Sequence, residues 1–497
     1  MLLPSGELGA AFEYALKRSP PKWLWLMHTP RAGASAFARC TLEPGWRRKG
    51  RRICALAEKS DGAALLVEAH ALQLNRSSAR AQGGAQLEET RGAAGRFADL
   101  LGIGGGTRGR SKGCTLLVSN DDLSIAPILP PRSALATVVR EPVQRLVSSY
   151  RLAVGMAART AFCSRTSLDL LKCVHPIIGE DTAPHGAPEA QAARESGTWP
   201  WTLIGPMMVR DMQRRAAAMS AATVAAEAIG NGVANATIRA ALASRLQERP
   251  FDVPELYMPL ADFARHPLVL GALADGQTLS LAGLSHLSLQ SSGGEDGRPP
   301  EPLQGIRSKA ASAALVSLGK CARAPGEARA KEAVARVALA RLVERATFVG
   351  LGGTFEAELE TSAQFMALMR WKRISREAVR AELRRGGAGE PKKSDDAHVQ
   401  AGREYARCTM QLNPALARAT AAAAGGGGGP SIGDAGGWAS NLLRVGAVLR
   451  TDVVMQSIDK VALEAIRQSN QMDAQLFLAA KELFKRRKRA MVDAGRL

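Results

Sequence analysis

The strongest constraint on the fold lies in residues 136–156, ATVVREPVQRLVSSYRLAVGM. Thr137-Val138-Val139 is a short β-branched run, the composition of a strand buried on both faces. Arg140 and Glu141 end that run, and Pro142 brings a φ already suited to the first position of a helix. Val143, Leu146, Val147 and Tyr150 then recur at three- and four-residue spacing, an apolar helix stripe. Strand, tight turn and helix in that order belong to an open α/β sheet. Such sheets bind ligands at the carboxyl edge of their strands, where helix amino termini favour anions. Arg140 puts a planar guanidinium fork at that edge, suited to a phosphate. Ser148, in the second turn of the helix, reaches the same anion if that face is open. The same residues also fit a buried strand-turn-helix whose Arg140 pairs with a carboxylate.

A second stretch of the same kind comes earlier. Trp23-Leu24-Trp25-Leu26-Met27 reads as a buried strand, and Ala36-Phe37-Ala38-Arg39 as a helix start. Between them runs His28-Thr29-Pro30-Arg31-Ala32-Gly33-Ala34-Ser35, a loop of small residues able to cradle a phosphate with backbone amides. Gly33 permits close backbone approach, Ser35 offers a hydroxyl and Arg31 a charge. No G-K-[ST] follows, so this is not the P-loop signature. An ordinary strand-to-helix turn accounts for the same spacing.

Together these stretches resemble the carbohydrate sulfotransferases related to heparan sulfate 2-O- and 6-O-sulfotransferases. R-E-P-V-x-R-L-V-S-S-Y, starting at Arg140, is similar to that family's motif for the 3′-phosphate of the sulfate donor PAPS. The resemblance gives Arg140 and Ser148 that role. The 28–35 loop resembles the family's H-[IV]-P-K-T-G-G-T-S, which holds the 5′-phosphosulfate, and so implicates Arg31, Gly33 and Ser35. Here Arg31 stands where the family has Lys, and Ala32, Ala34 and Ala36 replace Thr, Gly and Ser. Ala346-Thr347-Phe348-Val349-Gly350-Leu351, with Phe355, Glu356 and Leu359, resembles F-V-G-L-T-E-x-F-E-x-S-L, with Gly352-Gly353 in place of Thr-Glu. Asn470, Asp473, Leu476-Phe477, Ala480-Lys481 and Leu483-Phe484 resemble the closing helix N-x-x-D-x-x-L-Y-x-x-A-K-x-L-F. The four matches fall in the family's order from Trp23 to Phe484.

The resemblance implies an α/β fold with a P-loop-NTPase-like parallel sheet flanked by helices, here with Ala/Gly-rich insertions. It implies PAPS as donor, PAP as product, no metal, a carbohydrate acceptor and a Golgi setting. A base must lie within hydrogen-bond reach of the acceptor hydroxyl. The candidates are His28, His70, Asp121 and Asp122, each of which also reads as a packed histidine or as a turn and helix cap. The expected organisation is an extension over 1–21, a sulfotransferase-like domain over 22–490 and a tail over 491–497. Insertions are expected near 78–113, 288–308 and 386–437, along with helices over 7–18 and 206–247 and a strand over 63–74.

Net charge is +20, which favours polyanionic partners such as an acidic polysaccharide, nucleic acid or a charged nucleotide and selects none of them. Scattered Arg and only four Tyr speak against a specific nucleic-acid interface. Lys485–Arg489 reads as a polyanion patch, a nuclear localisation signal or a solvated helix end. Seven Cys without a CxxC pair suggest neither a zinc site nor a complete disulfide framework. No stretch reaches membrane-spanning length. Besides an active enzyme, the losses at Ala32, Ala34 and Ala36 fit an inactive, nucleotide-binding relative.

Overall fold

The computed structural model describes residues 8–53, 115–162, 200–228, 254–285, 327–384, 397–412 and 458–497, apart from Ser19, Pro30, Arg52, residues 130–132, Leu256 and residues 372–373. The helices are α1 (Ala10–Lys17), α2 (Ala34–Phe37), α3 (Glu43–Arg48), α4 (Pro142–Phe162), α5 (Trp201–Ala228), α6 (Leu260–Arg265), α7 (Pro267–Leu273), α8 (Gly276–Leu281), α9 (Ala328–Glu344), α10 (Phe355–Leu368), α11 (Arg376–Arg384), α12 (Ala397–Leu412), α13 (Lys460–Ser469) and α14 (Gln471–Asp493). The strands are β1 (Leu24–Met27), β2 (Leu116–Ser119), β3 (Ala134–Arg140) and β4 (Ala346–Gly352). A π-helical turn, Ala38–Leu42, joins α2 to α3. The chain divides into two compact units: Met1–Pro142, Asp275–Ile374 and Asn470–Leu497, and then Val143–Ala274 with Ser375–Ser469.

The first unit holds a four-stranded sheet in the order β2-β1-β3-β4. Every pairing is parallel, with Met27 level with Ser119 and Thr137, and Arg140 level with Gly352. The strands read as unbroken apolar runs because both faces are covered. Side chains alternate across the pleat. Trp25, Met27, Leu117, Leu135, Val139 and Val349 pack on one face with residues of α8, α9 and α14. Leu24, Leu26, Leu116, Val118, Val138 and Phe348 pack on the other with residues of α1, α2, α3 and α10. There Phe37, Phe348 and Phe365 form a ring cluster, with Phe348 and Phe365 edge to face at 5.0 Å. The mixed α/β architecture and the two apolar runs read as strands within the described residues, Trp23–Met27 and Thr137–Val139, agree with the sequence.

The Lys485–Arg489 run is a solvated helix end only in part: Lys485 and Arg489 are exposed, and Arg487 is not. Arg487 is buried in the first unit, donating to the carbonyls of Leu8 at 3.0 Å and Val343 at 3.2 Å and lying 4.8 Å over the Phe12 ring. Burial lowers its pKa to about 9. Lys488 pairs with Glu360 at 2.9 Å and Arg486 with Glu482 at 3.0 Å. Arg487 and Lys488 fasten α14 to its neighbours because the helical period turns Arg487 inward, while the Arg486 pair stays within α14.

In the second unit the predicted stripe of α4 is buried, with Val143, Leu146, Val147 and Tyr150 in a core shared with residues of α5, α6, α7 and α13. Tyr150 Oη donates to the Met258 carbonyl at 2.7 Å. Arg145, wholly buried, donates to the Leu273 carbonyl. The helix expected over 206–247 is present as α5 as far as Ala228. Within the insertion expected near 386–437 lies a helix, α12, from Ala397. The polar composition there hides a helical stripe, Ala401, Tyr405, Ala406 and Met410, all buried. The strand expected over 63–74 and the insertions at 78–113 and 288–308 lie outside the described residues. No described helix is long and apolar enough to cross a membrane.

Candidate functional site

Four parallel strands place the residues that follow them along one edge of the sheet. In the first unit that edge collects His28 after β1, Asn120 after β2, Arg140 at the end of β3, and Gly352 at the end of β4 with Gly353 after it.

His28 is held at both ends of its residue. Its backbone N–H donates to the Ser119 carbonyl at 2.8 Å, and Nδ1 lies 2.6 Å from Asn120 Oδ1. With Oδ1 accepting, Nδ1 carries the proton and the neutral ring keeps its lone pair on Nε2. Burial pulls the pKa below its ordinary value. Asn120 opposes that shift, and the nearby Arg31 charge adds to it.

After His28 the chain turns sharply, with Ala32 N–H donating to the Thr29 carbonyl at 3.1 Å. Arg31 takes a positive φ of 63° and Gly33 one of 90°. For Arg31 this left-handed conformation is strained, and such strain gathers at ligand sites. The loop lies directly on the end of β4: a Cβ on Gly352 would strike the Ala32 carbonyl oxygen, and one on Gly33 would meet Gly352 Cα at 3.1 Å. This explains the departure from the family pattern at Gly352, because the loop leaves no room for a side chain. Ser35 falls within α2, and its side chain lies outside the described residues.

The Arg140 guanidinium, largely buried, donates through Nη1 to the Arg31 carbonyl at 3.3 Å, tying the end of β3 to the β1 loop. The Gln277 side chain pairs with both backbone groups of Arg140 at 2.8 Å. Glu358, in the first turn of α10, completes the cluster. Burial raises its pKa, while the Arg140 charge and the Gly353 N–H, 3.5 Å from Oε1, lower it. The plainer expectation of a carboxylate beside Arg140 therefore also has its residue.

Asp121 and Asp122 follow Asn120 but are completely buried, and the Asp122 carboxylate accepts from Ser285 Oγ at 3.0 Å. Ser148 is buried in α4 of the second unit. His70 lies outside the described residues. Gln277 and Glu358 were not singled out from sequence. Glu358 sits where the closing F-E-x-S-L pattern has Ser, a departure visible beforehand, whereas GQTLSL around Gln277 carries no signal. In chemical terms, two arginines, a strained glycine-bearing turn and a neutral imidazole converge on one sheet edge, an arrangement suited to a multiply charged anion and to a proton transfer beside it.

A protein from Arabidopsis thaliana named protein-tyrosine sulfotransferase is 28% identical to this chain over 185 residues. The match covers 36% of this chain and 31% of the relative, so this chain spans about a third of that protein. No protein-family model matches the chain. No solved structure matches it either.

Proposed function

We propose that this protein transfers a sulfuryl group from PAPS to a hydroxyl. The observation that carries the reading is the meeting of Arg31 and Arg140, delivered by separate strands to one edge and joined at 3.3 Å. The likeness to a sulfotransferase supports it. Arg140 binds the 3′-phosphate. Arg31, with the Gly33 turn, binds the 5′-phosphosulfate and offsets charge on the leaving oxygen. The acceptor oxygen bonds to sulfur as the sulfur–oxygen bond to the 5′-phosphate breaks, and the electron pair leaves with PAP. The acceptor proton passes to His28 Nε2. His28 is preferred over Asp121 and Asp122 because those carboxylates are sealed from any acceptor.

The acceptor in this reading belongs to an acidic chain, drawn by the net charge of +20. The name of the Arabidopsis relative makes a protein tyrosine the first candidate. The motifs at 28–35 and 140–150 favour a carbohydrate, with an acidic polysaccharide as the second. The test is calorimetric binding of PAP to wild type and Arg140→Ala, followed by transfer of labelled sulfate from PAPS to an acidic tyrosine peptide and to a desulfated polysaccharide. Binding lost in Arg140→Ala with label in either acceptor supports the reading. PAP binding without transfer to any acceptor makes the protein an inactive nucleotide-binding relative, and no PAP binding refutes the donor site.

A further inference from the structure

Gln277 belongs to no sequence motif, yet it grips Arg140 by both backbone groups. Arg140 N–H donates to Oε1 at 2.8 Å, and Nε2 donates to the Arg140 carbonyl at 2.8 Å. A strand residue shows its N–H and C=O on the same edge, so a primary amide can pair with it as a neighbouring strand would. β1 does not reach that far, since its last pairing with β3 is Met27 with Thr137. Gln277 supplies the missing pairing with one side chain.

Gln277 is itself held. Asp473 accepts from Gln277 Nε2 at 3.4 Å, from Gln277 N–H at 3.3 Å, and from Thr278 N–H and Oγ1 at 2.8 Å each. These four donors fill the four lone-pair sites of a carboxylate. Asp473 N–H in turn donates to Asp275 Oδ1 at 2.9 Å, and Asp275 N–H to Asn470 Oδ1 at 3.2 Å. All five residues are buried. A polar network so deep is favourable only when fully satisfied, and it then fixes its members tightly. This one ends on the residue whose planar fork must meet a phosphate at a set angle.

We propose that Gln277, locked by Asp473, is a positioning residue that aims Arg140 and so sets the preference for a nucleotide bearing a 3′-phosphate over one without it. This rests on the reading of Arg140 as the 3′-phosphate ligand. The experiment compares PAP with adenosine 5′-phosphate by calorimetry on the full chain. Gln277→Ala weakens PAP about tenfold and leaves adenosine 5′-phosphate within about twofold. In an Arg140→Ala background the same substitution costs no further PAP affinity, because coupled residues are non-additive. Gln277→Met keeps the length of the side chain, loses both bonds to Arg140 without setting a second carboxylate against Asp473, and gives the same selective loss should the alanine variant not fold. Equal weakening of both nucleotides, or an undiminished effect in Arg140→Ala, overturns the positioning role. If Arg140→Ala is selective for PAP and the Gln277 variants are not, that role alone fails. If wild type binds PAP no better than adenosine 5′-phosphate, the reading of Arg140 fails and takes this role with it.

Discussion

Replacing Gly352 with alanine should unseat the loop that carries Arg31. A Cβ there runs into the Ala32 carbonyl oxygen and lies 3.2 Å from both Gly33 Cα and Val138 Cγ1. Two of these obstacles are backbone atoms that cannot rotate aside, so the loop itself must lift. Overpacking of this kind costs about 1–3 kcal/mol. For a unit of this size that corresponds to a fall in Tm of roughly 2–10 °C. Lifting the loop also draws the Arg31 carbonyl away from Arg140 Nη1, so PAP affinity should fall about tenfold in the same variant. Gly352→Thr restores the residue that the resembling family carries, yet it should be worse than alanine, because a β-branched side chain meets the same wall. Thermal unfolding followed by circular dichroism and calorimetry with PAP measure the two effects. Gly271→Ala in α7 is the control: its Cβ meets nothing within 4 Å, and removing a helical glycine should stabilise by up to about 1 kcal/mol. A Gly352→Ala protein with wild-type Tm and wild-type PAP affinity would refute the seating of the loop on β4.

Three further substitutions probe the buried charges. His28 has a folded pKa below its ordinary 6.5, so the unfolded chain takes up the proton first, and the stability present above that pH is lost as pH falls through the folded value. His28→Gln should therefore flatten the acid-side decline of Tm expected below pH 6.5 in wild type, and in turnover assays it should lower kcat by about 10²-fold or more with PAP affinity kept. Glu358 has the opposite sign: its raised pKa gives stability below the ordinary 4.5 that is lost as pH rises through the folded value. Glu358→Gln should accordingly raise Tm at neutral pH, with the gain fading toward pH 4.5, and should tighten PAP binding by removing a competitor for Arg140; weaker binding would show that the carboxylate helps the donor site. Arg487→Met strips the Leu8 and Val343 carbonyls of their donor, and urea unfolding should report a loss of about 2–4 kcal/mol.

What could be read from the sequence was what neighbouring residues encode. Trp23–Met27 and Thr137–Val139 announce buried strands because a strand covered on both faces needs an apolar residue at every position. The placing of Arg31 and Arg140 at strand ends follows directly, as does the inward stripe of α4. Glu358 was overlooked because an acid in the first turn of a helix is expected for its dipole alone. Its second neighbour, Arg140, arrives from a distant strand. Asp473 stood out as part of a closing-helix pattern, but its partners Gln277 and Thr278 lie 196 and 195 residues away in sequence. No local spacing encodes such a contact. The doublet Gly352-Gly353 was visible as a departure from pattern, while its cause, the Ala32 carbonyl, belongs to another strand's loop.

The same distinction changes the meaning of the net charge. A value of +20 invites an account based on surface attraction, and that account treats every arginine as solvated. Arg145, Arg487 and Arg140 are nonetheless buried, and each donates to at least one backbone carbonyl. Two of them work as fasteners within their own units, and the third stands at the sheet edge. The aromatic rings are placed in the same way. Trp25, Trp46, Phe37, Phe348 and Phe365 are core residues, and among the described residues Tyr14 is the one aromatic side chain with large exposure. A nucleic-acid surface would need rings in solvent interleaved with cations. In the proposed reading, the charge that bears on donor binding is the local one, Arg140 beside the strained turn that carries Arg31, whereas the net charge bears on the acceptor. A salt titration separates the two views. Nucleic-acid binding would weaken steeply with salt in proportion to the phosphates neutralised. PAP held at a partly buried pair should lose affinity far more gradually, because buried charges are screened less than exposed ones.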